Sequence, residues 1–306
     1  ILRLKPVFKD RNYDTIINRF YLFGFKKELP VSHIAMDPED LWSGEKGIYV
    51  KGDSAYLDTA GILVNTNLYK DWEKLVHFTY FESDTLSFQQ DCGIKLFGES
   101  TRRYRDKSFK IIARSAYGAN VFNYQFFPLK KLNKHKHLVI RTSGNDFNGT
   151  RFKDVLSAYL IRNLEIDHMA FQPIHLFINA RYWGVYNLRE KINEHYLKYN
   201  KGLDKDSVSI IMGKWVRQQG SSRDYMKMYR WFLRLEEMDS SNYEIAKSFL
   251  DIRNYINFRI FQLYINNADA RGNIRYWNSS QGDGKFRMIL YDTDHGFKYA
   301  ERKFLQ

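Results

Sequence analysis

Between residues 30 and 125 the apolar positions come in short runs broken by Gly, Asp, Asn and Ser, the pattern of strands rather than helices. Residues 48–50, 76–81, 94–97 and 109–113 are the β-rich runs, with turn chemistry at Glu45-Lys46-Gly47 and Gly52-Asp53. From about residue 151 the period lengthens. Phe152, Val155, Leu156, Tyr159, Leu160 and Leu164 recur at the spacing of one helix face. Strands return at 173–178 and 183–188, joined by Asn179-Ala180-Arg181. Helical spacing then dominates at about 191–199, 223–238, 241–250 and 252–266. The last of these is so rich in Phe, Ile, Leu and Tyr that burial on most sides is expected. A final strand over 285–291 leads into Asp292-Thr293-Asp294, and 213–223 is expected to be a mobile loop.

Strands, one helix, a strand pair, several helices and a closing strand make an α+β chain in two lobes. The expected division is an N-terminal segment over 1–30, a β-rich N-lobe with one main helix over 31–190, and a helical C-lobe over 191–306. The chain begins without Met and stops soon after its last acidic motif, which reads as a piece of a longer protein.

Composition narrows the partners. With 44% hydrophobic and 17% aromatic residues the 306-residue chain can bury a sizeable core. No apolar run reaches the roughly 18 residues that a membrane span needs. A single cysteine, Cys92, excludes an internal disulfide and a cysteine metal cage. The net charge of +13 favours anionic partners, with basic residues spread along the chain except in segments such as 102–110 and 130–136. No helix-turn-helix, zinc-finger or RNA-recognition pattern is present, so nucleic acid is not an expected partner.

The strongest chemical pattern is Asn266-Asn267-Ala268-Asp269-Ala270-Arg271-Gly272-Asn273, followed some twenty residues on by Tyr291-Asp292-Thr293-Asp294. Two carboxylates at element ends, with Asn273 four residues after the first, suit Mg²⁺-dependent phosphoryl transfer. One would orient or deprotonate the attacking hydroxyl, and the other, with the Asn, would hold metal against phosphates. Hard oxygen ligands suit Mg²⁺ or Mn²⁺. The same residues also suit a helix cap and two turns.

A second cluster runs from Gly93 to Ile111. Gly98, Ser100 and Thr101 form a small-residue turn that suits phosphate, and a strand-borne lysine follows. Lys107 and Lys110 are three apart, so in a strand they face opposite ways and one alone faces a cleft. A basic hairpin with solvated lysines fits this stretch equally. Asp146 or Asn148 is placed to cap the helix that begins near Arg151. Any ion-pair role for Arg141 or Asp154 stays open.

Taken together these pieces resemble the CotH kinase family. The resemblance rests on ELPVSHIAMDPEDLW with GIYVKG, GIKLFGESTR with DKSFKI, RTSGND with Arg151 and Asp154, LFINARYWGVYNLREKIN, and NAD…N with YDTDHGF. The motifs run in family order from about 31 to 297. The resemblance implies an atypical protein-kinase-like fold that binds ATP and a divalent metal and phosphorylates protein hydroxyls. Asp269 matches its catalytic carboxylate, and Asp292 its main metal ligand, with Asn273 and Asp294 beside it. Lys107 matches the lysine on the α/β-phosphates, with Arg102, Ser100 and Lys110 around the same phosphates. Glu190 and Lys191 fall where a hinge meets adenine. The family is found mostly outside the cytoplasm, so a cell-envelope, surface or secreted protein is implied. Two other classes stay open: a kinase-like binding or adhesion module with little turnover, and a metal-dependent phosphoesterase or polysaccharide-modifying enzyme.

Overall fold

The computed structural model describes residues 28–297, apart from 84, 214 and 271, and short stretches within 2–22. Arg271 of the Asp269 motif and nearly half of the segment 1–30 therefore lie outside the described residues. In chain order the elements are β1 (Val31–Met36), α1 (Pro38–Trp42), β2 (Lys74–Glu82), β3 (Thr85–Phe97), β4 (Ser108–Ile112), β5 (His137–Arg141), α2 (Lys153–Leu160), β6 (Asp167–His168), β7 (Phe171–Ile178) and β8 (Arg181–Glu190). They continue with α3 (Glu194–Lys201), β9 (Val208–Met212), β10 (Val216–Gln219), α4 (Arg223–Leu233), α5 (Ser240–Phe249), α6 (Ile252–Tyr264), β11 (Ile274–Ser279) and β12 (Arg287–Leu290). The class is α+β. No described helix is long and apolar enough to cross a membrane.

Two compact units form, and neither is continuous in sequence. The first takes Ile1–Tyr124, Lys136–Thr142 and Gln172–Leu188; the second takes Gln125–His135, Ser143–Phe171 and Arg189–Gln306.

In the first unit seven strands close into a barrel in the order β4-β5-β8-β7-β1-β2-β3. Closure removes exposed sheet edges. It depends on β1 pairing in parallel with β7, His175 opposite Val31. Ile34, Phe78, Tyr80, Ile94, Phe109, Ile111, Ile140, Leu176 and Tyr186 are fully buried. Cys92 is a buried free thiol. Residues 48–50, expected as a strand, form bends instead. Tyr49 OH there donates to Arg105 O (2.7 Å) and accepts from Trp183 Nε1 (3.3 Å), so a side chain takes the role a ladder would have had. The 179–180 turn has both residues at positive φ, and Asn179 Oδ1 accepts from Met36 N at 2.9 Å.

In the second unit a five-stranded sheet runs β6-β12-β11-β9-β10. Sequence periodicity alone had indicated β12 here. Residues 213–223, expected as a mobile loop, contribute β10, which pairs with β9 through a register shift at Ile210/Ile211. The α4–α6 helices supply Tyr225, Met228, Phe258 and Phe261 to a core shared with Phe286, Met288 and Leu290 of the sheet region. α6 is less buried than its composition indicates: Ile256, Ile260 and Tyr264 are exposed, because its apolar residues surround the axis while the sheet covers one side.

Candidate active site

In the second unit two acidic loops leave one end of the β11–β12 hairpin. α6 is latched onto β12 by Asn254, whose Oδ1 accepts from Met288 N (2.7 Å) while its Nδ2 donates to Glu165 O (2.8 Å). Beyond the helix, buried Asn267 donates to Gln262 Oε1 (3.0 Å) and accepts from Asp269 N (3.2 Å). Asp269 O then receives Gly272 N and Asn273 N, both at 3.2 Å, and Asn273 Nδ2 donates to Asp269 Oδ2 at 2.8 Å. β11 begins at the next residue, where Ile274 pairs with Leu290. Asn273 and the segment leaving β12 are thus side by side, and Phe297 N donates to Ile265 O at 2.6 Å to hold the second loop on the first.

That second loop is Asp292-Thr293-Asp294. Asp292 has φ +54°, a left-handed conformation that Asp tolerates better than most residues. Thr293 is fully buried and donates through N (3.2 Å) and Oγ1 (3.1 Å) to Asp154 Oδ1 of α2. Asp154 Oδ2 is paired with Arg189 Nη1. Arg189, itself buried, donates Nε to Ala170 O and Nη2 to Met169 O, both at 3.1 Å. Buried Asp294 accepts from Asn145 N through Oδ2 at 2.7 Å.

Asp146, in the same turn as Asn145, accepts from Thr150 Oγ1 (2.7 Å), Phe152 N (3.0 Å) and Lys153 N (3.3 Å), satisfying the open first turn of α2. Burial pushes its carboxyl up, but these donors outweigh burial and hold it below the ordinary value.

The remaining expected phosphate ligands belong to the first unit. Lys107 precedes β4 and is 6% exposed. Its ammonium donates to Tyr104 O at 2.6 Å and lies 4.9 Å from the Tyr49 ring centre. Burial lowers its pKa, against a raising effect of Asp106. One carbonyl and one ring face leave one N–H donor for an anion. Lys110, inside β4, lies opposite Lys95 and has different neighbours. Burial, then Lys95, lowers its pKa. Ser100 opens a 3₁₀ turn over Ser100–Arg103. Arg102 closes that turn, donating Nε to Gly98 O (2.6 Å) and Nη1 to Leu68 O (3.1 Å). Gly98, at φ +99°, is needed there, since a Cβ would meet Thr101 Oγ1 at 2.3 Å.

Glu190 ends β8 and is 3% exposed. Its Oε2 accepts from Lys130 Nζ (2.7 Å) and Ala170 N (2.8 Å), and its Oε1 from Asn200 Nδ2 (2.9 Å). Burial pushes the carboxyl up, and Lys130 with the other two donors brings it below the ordinary value. A cavity of about 260 Å³ in this unit is lined by Lys130, Ala170, His168, Tyr196 and Asn200 among others, and by none of the expected acidic residues.

The family model described as CotH kinase protein matches residues 94–305. The chain belongs to the CotH kinase protein family. The matched stretch takes in both acidic loops, the Ser100–Lys110 cluster and the β7–β8 hairpin, while 31–93 lie before it. No curated protein matches the chain. Membership points to a kinase-like transferase.

Whether a CotH-type site can take a divalent cation is tested by its donors. Asp292, Asp294 and Asn273 offer oxygens, and Asn273, having given Nδ2 to Asp269, keeps Oδ1 as an acceptor. Among the described residues no group of three or more His, Cys, Asp or Glu is arranged around a metal. The oxygens of Asp292, Asp294 and Asn273 are of the kind Mg²⁺ takes, about one or two carboxylates with phosphate and water completing the shell. The residues fit the group. Sequence reasoning did not assign Arg189 or Thr293, and left Asp154 open. For Asp154 and Arg189 the signal is a charge within a buried run: Asp154 precedes buried Val155 on α2, and Arg189 follows Leu188 in the buried end of β8.

Proposed function

We propose that this protein is an ATP- and divalent-metal-dependent phosphotransferase that phosphorylates Ser or Thr of a surface or secreted protein. The observation that carries the reading is the pairing of Asn273–Asp269 with the 292–294 loop at one end of the β11–β12 hairpin, in a chain of this family. The finer fold reading, a β-rich N-lobe and a helical C-lobe in kinase-like arrangement, belongs to the same proposal, as does a location outside the cytoplasm.

In this reading Asp269 accepts the proton of the acceptor hydroxyl. The hydroxyl oxygen bonds to the γ-phosphorus as the bond from that phosphorus to the β–γ bridging oxygen breaks, and ADP leaves. Asn273 orients the Asp269 carboxylate through its Nδ2. Mg²⁺ or Mn²⁺, held by Asp292, Asp294 and Asn273, would neutralise phosphate charge. Lys107 gives its remaining N–H donor to the α/β-phosphates, with Ser100 and Arg102 from the same stretch, while Lys110, opposite Lys95 inside β4, does not share them. The Glu190 carboxylate is committed to three donors, so adenine would meet backbone groups around Glu190 and Lys191.

The test is incubation with labelled ATP, Mg²⁺ or Mn²⁺ and a generic protein acceptor, beside Asp269→Ala. Transfer by the wild type and its loss in the variant are expected. A wild type that transfers no label with either metal, and whose melting temperature ignores metal-ATP, would refute the reading.

A further inference from the structure

Asp292 is an expected metal ligand held in a left-handed backbone, and a residue there relaxes unless its neighbours prevent it. The restraint is visible one residue on. Thr293 donates twice to one oxygen of Asp154, and the other oxygen of Asp154 is paired with Arg189, which donates its remaining groups to the 169 and 170 carbonyls. Asp154, Arg189 and Thr293 are all almost fully buried. Two charges in such a place cost desolvation that apolar residues would avoid, so this pair is a poor device for stability alone. It is a good device for geometry. A carboxylate with one oxygen on a guanidinium and the other on a loop N–H and hydroxyl has no second arrangement that satisfies the same donors.

We propose that Asp154, fixed by Arg189, is a positioning residue for the reaction. It ties α2 to Thr293 and thereby sets the backbone that presents Asp292 and Asp294 to the metal. The inference rests on the phosphotransferase reading and deepens it. It assigns α2 a part in building the metal site, carried by an Asp–Arg pair within the second unit.

The probe is Mn²⁺ in the presence of a non-hydrolysable ATP analogue, followed by loss of the free-ion paramagnetic resonance signal. Thr293→Val keeps shape and the backbone donor but removes the hydroxyl, and Thr293→Ser restores it. The expected result is a loss of about ten-fold in Mn²⁺ affinity for Thr293→Val at nearly unchanged melting temperature, with Thr293→Ser close to wild type. A second variant, Asp154→Leu with Arg189→Met, removes both charges together and leaves no orphaned ion. It should fold and lose at least as much affinity. Acceptor KM should stay put in each while kcat falls. A wild type that binds Mn²⁺ with a Thr293→Val that binds it equally well would overturn the positioning role and leave the function standing. A wild type that binds no Mn²⁺ would overturn both.

Discussion

Glu190 offers a choice between two roles that differ in what they predict. Its carboxylate is 3% exposed and receives Lys130 Nζ, Ala170 N and Asn200 Nδ2 at 2.7–2.9 Å. Glu190→Ala strips Lys130 Nζ and Ala170 N of this acceptor, while Asn200 Nδ2 keeps Tyr196 O at 3.0 Å. Removing one partner of a buried ion pair costs about 3–5 kcal/mol. The Lys130 side chain is 29% exposed and can recover some water, which moves the cost to the lower end of that range. The Ala170 N–H lies in a residue 8% exposed and recovers little, adding part of the roughly 1–3 kcal/mol of an orphaned donor. A loss of about 3–4 kcal/mol is therefore expected, and about 1–2 kcal/mol for Glu190→Gln, which keeps one acceptor oxygen.

The sign with pH follows. The folded carboxyl is held below its ordinary value of 4.5, so its contribution is present above that pH and is lost as pH falls through the folded value. Wild type should lose stability in acid more steeply than Glu190→Gln. The assay is denaturant unfolding at neutral and acid pH, together with the KM for ATP. A Glu190→Ala protein destabilised by less than about 1 kcal/mol, with a raised KM for ATP, would show that the side chain contacts nucleotide and would refute a structural role as acceptor for Lys130, Ala170 N and Asn200.

Lys107→Met should fold at least as well as wild type, since it removes a buried cation, but should lose the stabilisation by Mg-ATP, about 2.7 kcal/mol at a hundred-fold excess over Kd, that thermal melting reads in the wild type. Asn273→Ala removes a donor from Asp269 and an oxygen from the expected metal set; kcat should fall about ten- to hundred-fold with a stability change below about 0.5 kcal/mol, measured by transfer assay and thermal melting. Asp283 is held at about 2, first by hydrogen bonding from Arg287, below its ordinary 3.8. Its stabilisation is complete above that ordinary value and disappears as pH falls toward 2. Because the pair is well exposed, Asp283→Asn should flatten the acid unfolding profile by only about 0.5–1 kcal/mol.

Much of the architecture was legible along the chain because its signals are short-range. Helices at 194–201, 223–233, 240–249 and 252–264 lie within or close to the stretches that periodicity marks, since a helix face repeats within a few residues. The strands at 74–82, 108–112, 171–178 and 181–190 were equally visible. β9, β10 and β11 were not. Val216-Arg217-Gln218-Gln219 carries too few apolar residues to read as a strand, and becomes one because β9 offers an edge to pair with.

The helices, part of the strand set, the acidic motifs and the family are properties of the sequence by itself, because each is written in neighbouring residues. Tertiary structure decided what those residues are held by. The barrel closes on Val31–Met36 meeting a strand some 140 positions on, and α2 joins the second unit although it is flanked by strands of the first. Asp154 meets Arg189 over 35 positions and Thr293 over 139. Hydrogen bonds act over about 3 Å in space whatever the distance along the chain. Which carboxylate holds the 292–294 loop was therefore settled by the path of the backbone.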